Sequence, residues 1–141
     1  MVGSRPAESG EAVPITVLLA DDKEVVLSSI RLLLSPDQEI RIVGEAGSFY
    51  QTIQSALDLK PQVVVMDLHM PDESSVSPQE IKSLLERLGS RLIGISFWND
   101  EDTQARAQSL GAVCLLDKLR LVTELIPAIK AATIKQRSPS V

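Results

Sequence analysis

The centre of the chain holds a run of four apolar residues that ends in an acid, Val63-Val64-Val65-Met66-Asp67. Valine is enriched in strands, and an apolar run without polar interruption is typical of a strand that helices cover on both faces. Pro61 lies shortly before the run and Pro71 shortly after it, as expected at the borders of a strand. The run therefore predicts a central strand of a parallel sheet.

Short apolar segments of the same kind recur on both sides of this run and alternate with helical patterns. Strands are predicted at 15–20, 40–46, 63–67, 92–96 and 113–116, and helices at 23–34, 49–59, 78–88, 100–110 and 123–135. Five such βα units predict an α/β fold, (βα)5, in which right-handed crossovers build a doubly wound parallel five-stranded sheet. Arg41 and Glu45 interrupt the second segment, which predicts an edge strand.

The length of 141 residues is that of one domain, with 44% apolar and 23% charged residues as in globular proteins. We expect a disordered leader at 1–13, the domain at 14–135 and a tail or linker stub at 136–141. The last helix is expected to begin near Thr123, because Pro127 then falls in the first turn or so, where backbone N–H groups have no helical partner.

Composition excludes several classes of protein. No apolar run approaches the roughly 20 residues that cross a bilayer, and no signal-peptide pattern is present. A single cysteine, Cys114, indicates a cytoplasmic location, and with one histidine it excludes a Cys/His zinc site. A net charge of −5 argues against contact with nucleic acid.

Four of the five predicted strands end in polar side chains. These are Asp21-Asp22, Asp67, Ser96 and Asp117-Lys118. Each has an ordinary explanation when taken alone, as a helix cap, a loop residue or a solvated charge. Ligands of open parallel sheets bind beyond the carboxyl ends of the strands, so the set is predicted to meet in one crevice.

The chemistry of this set favours phosphoryl transfer. Carboxylates that converge repel one another unless a cation neutralises them, and Mg2+ prefers oxygen ligands. A lysine and a hydroxyl add a charge and a donor for phosphoryl oxygens. A carboxylate beside Mg2+ and lysine can itself attack phosphorus, so the residues point to a phosphorylatable aspartate.

The ordered motifs resemble a response-regulator receiver domain of two-component signalling, with a chemotaxis-regulator-like fold. They are Asp21-Asp22, 63–71, Ile93-Gly94-Ile95-Ser96, Gly111-Ala112 and Leu115-Leu116-Asp117-Lys118, and the resemblance covers about 14–134. It implies a flavodoxin-like sheet of strand order 2-1-3-4-5. It also implies a signalling domain rather than an enzyme, limited to self-phosphotransfer and self-dephosphorylation.

The resemblance implies a role for six residues. Asp67 would be the phosphoacceptor, Asp21 and Asp22 would serve Mg2+ together with Asp67 and the backbone carbonyl of His69, Ser96 would be the switch hydroxyl, and Lys118 would bind phosphoryl oxygens. Asp22 is expected as a direct ligand, and Asp21 is expected to act largely through water. The His69 side chain is expected in a surface loop rather than on the metal.

Four positions depart from the family pattern. Phe97 replaces a small residue after the switch hydroxyl, where it would either narrow access to the phosphoacceptor or pack against the fourth helix. Leu115 stands at the position of the rotating aromatic, so an aromatic switch is not expected there. Leu119 replaces a frequent proline, and the loop at 72–75 lacks the usual glycine, which puts its geometry in doubt.

The expected partners are a sensor histidine kinase or a phosphotransfer protein and a downstream protein target. The implied signalling surface is 100–110, 113–116 and 123–135, where late basic residues such as Lys118 and Lys130 would suit an acidic partner or form a solvated face. Dimerisation through this face stays open. The segment 42–46 resembles receivers that precede a DNA-binding domain. Two alternatives stay open: a stand-alone receiver that signals by protein contact, or a receiver cut from a longer regulator.

Two other classes compete with this interpretation. A haloacid-dehalogenase-like phosphohydrolase also uses aspartate, Mg2+, a hydroxyl and lysine, but its nucleophile lies on the first strand in an Asp-x-Asp motif. Here the candidate lies on the third strand and His69 stands two residues on. A pseudo-receiver that binds partners without being phosphorylated is the second alternative.

Overall fold

The computed structural model describes residues 13–137, with side chains as far as 134. Its strands are β1 Ile15–Ala20, β2 Ile40–Ala46, β3 Val63–Asp67, β4 Arg91–Ser96 and β5 Cys114–Asp117. Its helices are α1 Glu24–Leu34, α2 Phe49–Leu59, α3 Pro78–Leu88, α4 Glu101–Ser109 and α5 Leu121–Arg137, with 3-10 helices at Glu73–Ser75 and Lys118–Arg120. The predicted leader lies outside the described residues except for Val13, and so does the predicted tail beyond 137.

The five strands form one parallel sheet in the order β2-β1-β3-β4-β5. Every residue of β3 is buried, because β3 lies at the centre of the sheet and helices cover both of its faces. β2 is an edge strand with exposed Arg41 and Glu45. The predicted fold class and strand order are confirmed. Among the described residues, no helix is long and apolar enough to cross a membrane.

Successive residues of β3 point to opposite faces of the sheet and join two separate cores. Val64 and Met66 pack in the core that contains residues of α2, α3 and α4. Val63 and Val65 pack in the core that contains residues of α1 and α5. The apolar run thus feeds both cores, and Asp67 is left at the carboxyl end of the strand.

The start of α5 differs from its prediction. The helix begins at Leu121 rather than Thr123, because Lys118–Arg120 form a 3-10 helix that continues directly into it. The Asp117 side chain accepts a hydrogen bond from the Leu119 N–H at 2.9 Å and caps this turn. Pro127 therefore lies inside the helix, where it has no N–H to donate to the Thr123 carbonyl. The helix also extends to Arg137, two residues into the predicted tail.

Gly94 of β4 provides space for the residue that follows Asp67. A Cβ atom at position 94 would lie 2.9 Å from Leu68 Cδ2. We expect Gly94→Ala to lower the free energy of unfolding by about 1 kcal/mol, because Leu68 must move in a closely packed core. Urea unfolding monitored by circular dichroism measures this change.

Gly47→Ala is the matched control for this substitution. Its Cβ atom would meet only Gln51 Oε1, at 3.5 Å, which is an ordinary contact. We expect the control to unfold within about 0.5 kcal/mol of the wild type. Equal stability of the two variants would show that Leu68 does not need the space above Gly94.

Candidate functional site

Three carboxylates meet at the carboxyl edge of the sheet and form what we call the acid cluster, Asp21, Asp22 and Asp67. Asp21 and Asp22 follow β1, and Asp67 ends the adjacent β3. One oxygen of each carboxylate lies within 4.8 Å of the others. Asp21 and Asp67 are almost fully buried, at 0% and 4% exposure, whereas Asp22 remains open to solvent.

Lys118 places its ammonium group between the two buried acids. Its Nζ lies 2.7 Å from Asp21 Oδ2 and 3.3 Å from Asp67 Oδ2, and its side chain is almost completely buried. Lys118 is the first residue of the 3-10 helix that directly follows β5. The ring of Phe97 lies on another side of the ammonium, with its centroid 5.0 Å from Nζ.

The environment of Asp67 raises the pKa of its carboxyl group. Burial is the main cause, because desolvation penalises the charged form, and the nearby Asp21 carboxylate adds to the effect. The His69 N–H, which donates to Asp67 Oδ1 at 3.1 Å, and the Lys118 ammonium act in the opposite direction. An additional cation at the acid cluster would stabilise the ionised form further.

The acid cluster has the donor set of a magnesium site. Asp21 Oδ2 is buried and receives no aligned hydrogen bond from any described residue, although the Lys118 ammonium lies close to it. All three side chains offer oxygen, and Mg2+ commonly binds to one or two carboxylates while it keeps several waters. The described residues therefore fit Mg2+, which would neutralise the charge that Lys118 and the exposed Lys23, 3.6 Å from Asp22 Oδ2, leave uncompensated.

Ser96 ends β4 and is buried at the same edge of the sheet. Its hydroxyl oxygen accepts a hydrogen bond from the Trp98 N–H at 3.0 Å. A serine hydroxyl has one hydrogen to donate besides the lone pairs of its oxygen. The Trp98 N–H occupies one lone pair of the Ser96 oxygen, so the hydrogen of the Ser96 hydroxyl takes no part in this contact.

The His69 side chain lies beside the site rather than in it. Its Nδ1 is 3.4 Å from Glu73 Oε1 and its Nε2 is 3.4 Å from Thr103 Oγ1. The Trp98 ring meets it edge-on at a centroid distance of 6.0 Å. Among the described residues, the group that could hold a metal contains the three aspartates and not this histidine.

Two residues that were not among the predicted site residues, Asp72 and Arg106, connect the loop after Asp67 to neighbouring helices. We call residues 68–72, which follow the predicted phosphoacceptor, the phosphoacceptor loop. Asp72 accepts hydrogen bonds from the N–H groups of Phe49 and Tyr50, each at 3.0 Å, and so caps α2. Arg106 of α4 donates from Nε to the Leu68 carbonyl. The absence of glycine at 72–75 pointed to this stretch without assigning a contact to Asp72, and no signal in the sequence pointed to Arg106.

Two of the late basic residues considered for an acidic partner, Lys118 and Lys130, do not lie on a free basic surface. Lys118 is buried in the site. Lys130 lies 3.2 Å from Asp37 Oδ2 and 2.7 Å from Glu39 Oε1, on the side of the molecule next to β2. The idea of an acidic partner therefore loses the support of both lysines, because each is already paired with carboxylates.

Comparison with known proteins shows the family. The response regulator receiver domain matches residues 17–130, and the chain belongs to this family. It is 30% identical over 131 residues to the transcriptional regulatory protein PdtaR of Mycobacterium tuberculosis, covering 92% of this chain and 62% of that protein. It is 31% identical over 120 residues to the nitrate/nitrite response regulator NarL of Escherichia coli, covering 84% and 55%. The chain thus spans less than two thirds of these relatives.

Solved structures show the same fold. The response regulator domain of Thermotoga maritima CheB superposes with a TM-score of 0.76 at 22% identity, covering 90% of this chain and all of that one. The non-phosphorylated receiver domain of Escherichia coli RcsB superposes with a TM-score of 0.74 at 25% identity, covering 87% and 95%. Receiver domains are signalling domains of two-component systems that bind Mg2+ at an acidic pocket, and the acid cluster is a group of this kind.

The raised pKa of Asp67 predicts that Asp67→Asn stabilises the protein at neutral pH without Mg2+. The folded protein holds the Asp67 proton more tightly than the unfolded chain, whose carboxyl titrates near pH ~3.9. Wild-type stability therefore falls as the pH rises from that value through the folded pKa, and the asparagine variant avoids this loss. Its advantage should shrink as the pH is lowered.

Urea unfolding in EDTA at a series of pH values measures this difference. Asp58→Asn, an exposed carboxylate near the end of α2, is the control and should show no comparable gain. Added Mg2+ should reduce the advantage of Asp67→Asn, because a nearby cation lowers the pKa of a carboxyl group. A variant less stable than wild type at neutral pH would contradict the expected burial cost.

Proposed function

We propose that this receiver domain accepts a phosphoryl group on Asp67 from a sensor histidine kinase or a phosphotransfer protein and thereby switches a protein-interaction surface. The observation that carries the proposal is the buried contact of Lys118 with both Asp67 and Asp21. In this position the ammonium group offsets the negative charge of a nucleophilic carboxylate, and it can bind the oxygens of the incoming phosphoryl group. The cytoplasmic location indicated by the single cysteine is part of this proposal.

The transfer step follows from the surroundings of Asp67. A carboxylate oxygen of Asp67 attacks phosphorus, a P–O bond forms as the P–N bond to the donor histidine breaks, and the electron pair leaves with the imidazole nitrogen, which takes up a proton. The His69 N–H and the Lys118 ammonium orient the carboxylate before the attack. Mg2+, held by Asp22, Asp67 and the His69 carbonyl with Asp21 acting through water, would supply charge neutralisation.

Ser96 is the proposed donor to the transferred group. Its oxygen is occupied by the Trp98 N–H, so its hydrogen can turn toward a phosphoryl oxygen on the neighbouring strand end. The oxygens of a phosphoryl group on Asp67 would accept hydrogen bonds from both Ser96 and Lys118. Because Trp98 and Phe97 follow Ser96 directly, a shift of this hydroxyl would be felt by an exposed aromatic pair.

The proposed phosphoacceptor is tested by incubation with acetyl phosphate and Mg2+ followed by intact-mass measurement. We expect a species heavier by about 80 Da, the mass of one phosphoryl group. Asp67→Asn should lose the adduct, and the exposed control Asp58→Asn should keep it. Absence of the adduct in the wild type would favour the pseudo-receiver, a binding module that is not phosphorylated.

Phe97 is proposed to restrict access to Asp67. Its ring is 46% exposed and lies 5.0 Å from the Lys118 ammonium, so it covers part of the group that would bind the phosphoryl oxygens. Water that hydrolyses the acyl phosphate and a donor that supplies it would both pass this ring. We infer that Phe97 slows both the gain and the loss of the phosphoryl group.

Replacing Phe97 with alanine should shorten the lifetime of the phosphorylated form several-fold. Its decay after removal of acetyl phosphate can be followed by intact mass. Trp98→Ala is the matched control, because Trp98 is an exposed neighbouring aromatic whose described ring contacts are with His69 and Phe97 rather than Lys118. An unchanged lifetime in Phe97→Ala would contradict the proposed restriction of access, and the ring would then have a role only in local packing.

The output surface proposed for the switch consists of α4, β5 and α5. All four residues of β5 are half-buried, so this edge of the sheet is partly open to a partner or a second copy. Leu115 packs against the core at the position of the missing aromatic, which leaves Phe97 and Trp98 as the aromatic groups near the site. The downstream target is proposed to be a protein.

The domain organisation of the whole protein is also a proposal. The relatives include proteins named as transcriptional regulators, and one structural neighbour was solved as the RcsB–DNA complex. This similarity favours a receiver that belongs to a longer regulator over a stand-alone one. The lack of nucleic-acid contacts by residues of this chain stays a prediction based on its net charge of −5.

A further inference from the structure

The phosphoacceptor loop carries the backbone of His69, which is in direct contact with the proposed phosphoacceptor. The His69 N–H donates to Asp67 Oδ1 at 3.1 Å, so a shift of this peptide changes the orientation of the carboxylate. The loop has no glycine and forms an irregular turn that leads to the 3-10 helix Glu73–Ser75. The Met70 carbonyl of the loop accepts a hydrogen bond from the Glu73 N–H at 3.0 Å, and side-chain contacts with α2 and α4 add further constraints.

Arg106 holds the first residue of this loop. Its Nε donates to the Leu68 carbonyl, and its guanidinium carbon lies 5.0 Å from the centroid of the Phe49 ring. One turn earlier on the same face of α4, the hydroxyl of the buried Thr103 lies 3.4 Å from His69 Nε2. α4 thus contacts two consecutive residues of the loop through polar groups.

Asp72, the last residue of the loop, is bound to the start of α2. Both of its carboxylate oxygens accept N–H groups of the first turn of α2, those of Phe49 and Tyr50. A carboxylate is favoured at this position by unpaired N–H groups and by the helix dipole. Phe49 is fully buried and joins the two ends, because its N–H contacts Asp72 and its ring contacts Arg106.

We propose that Arg106 and Asp72 are positioning residues that fix the phosphoacceptor loop for Mg2+ binding and phosphoryl transfer, an inference that rests on the function proposed above. Neither side chain belongs to the acid cluster. They act through the loop backbone, which presents the His69 N–H to Asp67 and would present the His69 carbonyl to the metal. Groups that orient metal ligands commonly change metal affinity about tenfold or more when removed.

The test is Mg2+ titration of the full chain carrying Arg106→Met. Methionine keeps an unbranched apolar stem against Phe49 and removes the donor to Leu68. Loss of a positive charge would by itself strengthen Mg2+ binding, whereas loss of positioning weakens it, so the two effects have opposite signs. We expect Mg2+ affinity to fall by about tenfold. Arg106→Lys, which retains a donor, should recover part of the loss.

Two readouts separate positioning from simple stability. The single tryptophan, Trp98, stands edge-on to His69, and its fluorescence is the first readout of Mg2+ binding. The rise in unfolding midpoint at increasing Mg2+ gives the affinity independently, and it decides the result if Trp98 does not respond. A purely structural role would lower the midpoint by the same amount with and without Mg2+ and would overturn the proposal.

Matched variants complete the experiment. Arg87→Met removes an exposed arginine of α3 and should bind Mg2+ like the wild type. Asp72→Asn, measured in about 0.5 M KCl to screen the lost charge, should weaken Mg2+ binding as Arg106→Met does. If Arg106→Met does not fold, Asp72→Asn decides the outcome, with Asp58→Asn as its control.

The possible failures are distinguishable. A wild type that binds no Mg2+ would overturn the proposed magnesium site, and with it the inference that depends on that site. A wild type that binds Mg2+ while Arg106→Met binds equally well or more tightly would overturn the positioning role and leave the phosphoacceptor proposal intact. The same holds if Asp72→Asn retains the affinity of Asp58→Asn.

Discussion

The site depends on the attraction between one buried ammonium group and two buried carboxylates. Asp21 and Asp67 would repel each other at the edge of the sheet, and desolvation makes each charge more costly. Among the described residues, Lys118 is the cation that forms ion pairs with them. The topology makes this arrangement possible, because β1 and β3 are neighbours and Lys118 directly follows the carboxyl end of β5. Lys118 and the exposed Lys23, which pairs with Asp22, leave the three carboxylates with excess negative charge, which is what a divalent cation would neutralise.

The surroundings of this site are held by polar contacts as much as by apolar packing. α4 buries few apolar residues, and it contacts the phosphoacceptor loop through Thr103 and Arg106. On the other side, Asp72 connects the loop to the start of α2. A helix held by a few directional bonds can be released by small changes in the groups it contacts, whereas a helix held by a large apolar face cannot. α1 and α5 differ from α4, because both are held by apolar side chains on the core that contains Val63 and Val65.

Much of the fold was predictable because its determinants are local. Apolar runs predict all five strands, and the rule that ligands bind beyond the strand ends predicts that Asp21, Asp67 and Lys118 lie at one edge of the sheet. The predicted start of α5 was wrong, because Pro127 suggested a helix boundary near Thr123. In the structure the Asp117 side chain caps the turn Lys118–Arg120, and the helical segment begins there. Arg106 could not be found from the sequence, since it contacts Leu68 across 38 positions and a contact of that range leaves no local pattern.

The direct passage from the 3-10 helix into α5 has a mechanical consequence. Lys118 opens a helical segment whose α-helical part alone is 17 residues long and therefore extends about 25 Å. The ammonium end of this rod is fixed by two aspartates, and the other end lies far from the site. A rotation of about 5° at the fixed end displaces the far end of a rod of this length by about 2 Å. The packing of α5 on the core that contains Val63 and Val65 opposes such a rotation, so the position of the Lys118 amine and the direction of the helix axis are fixed together.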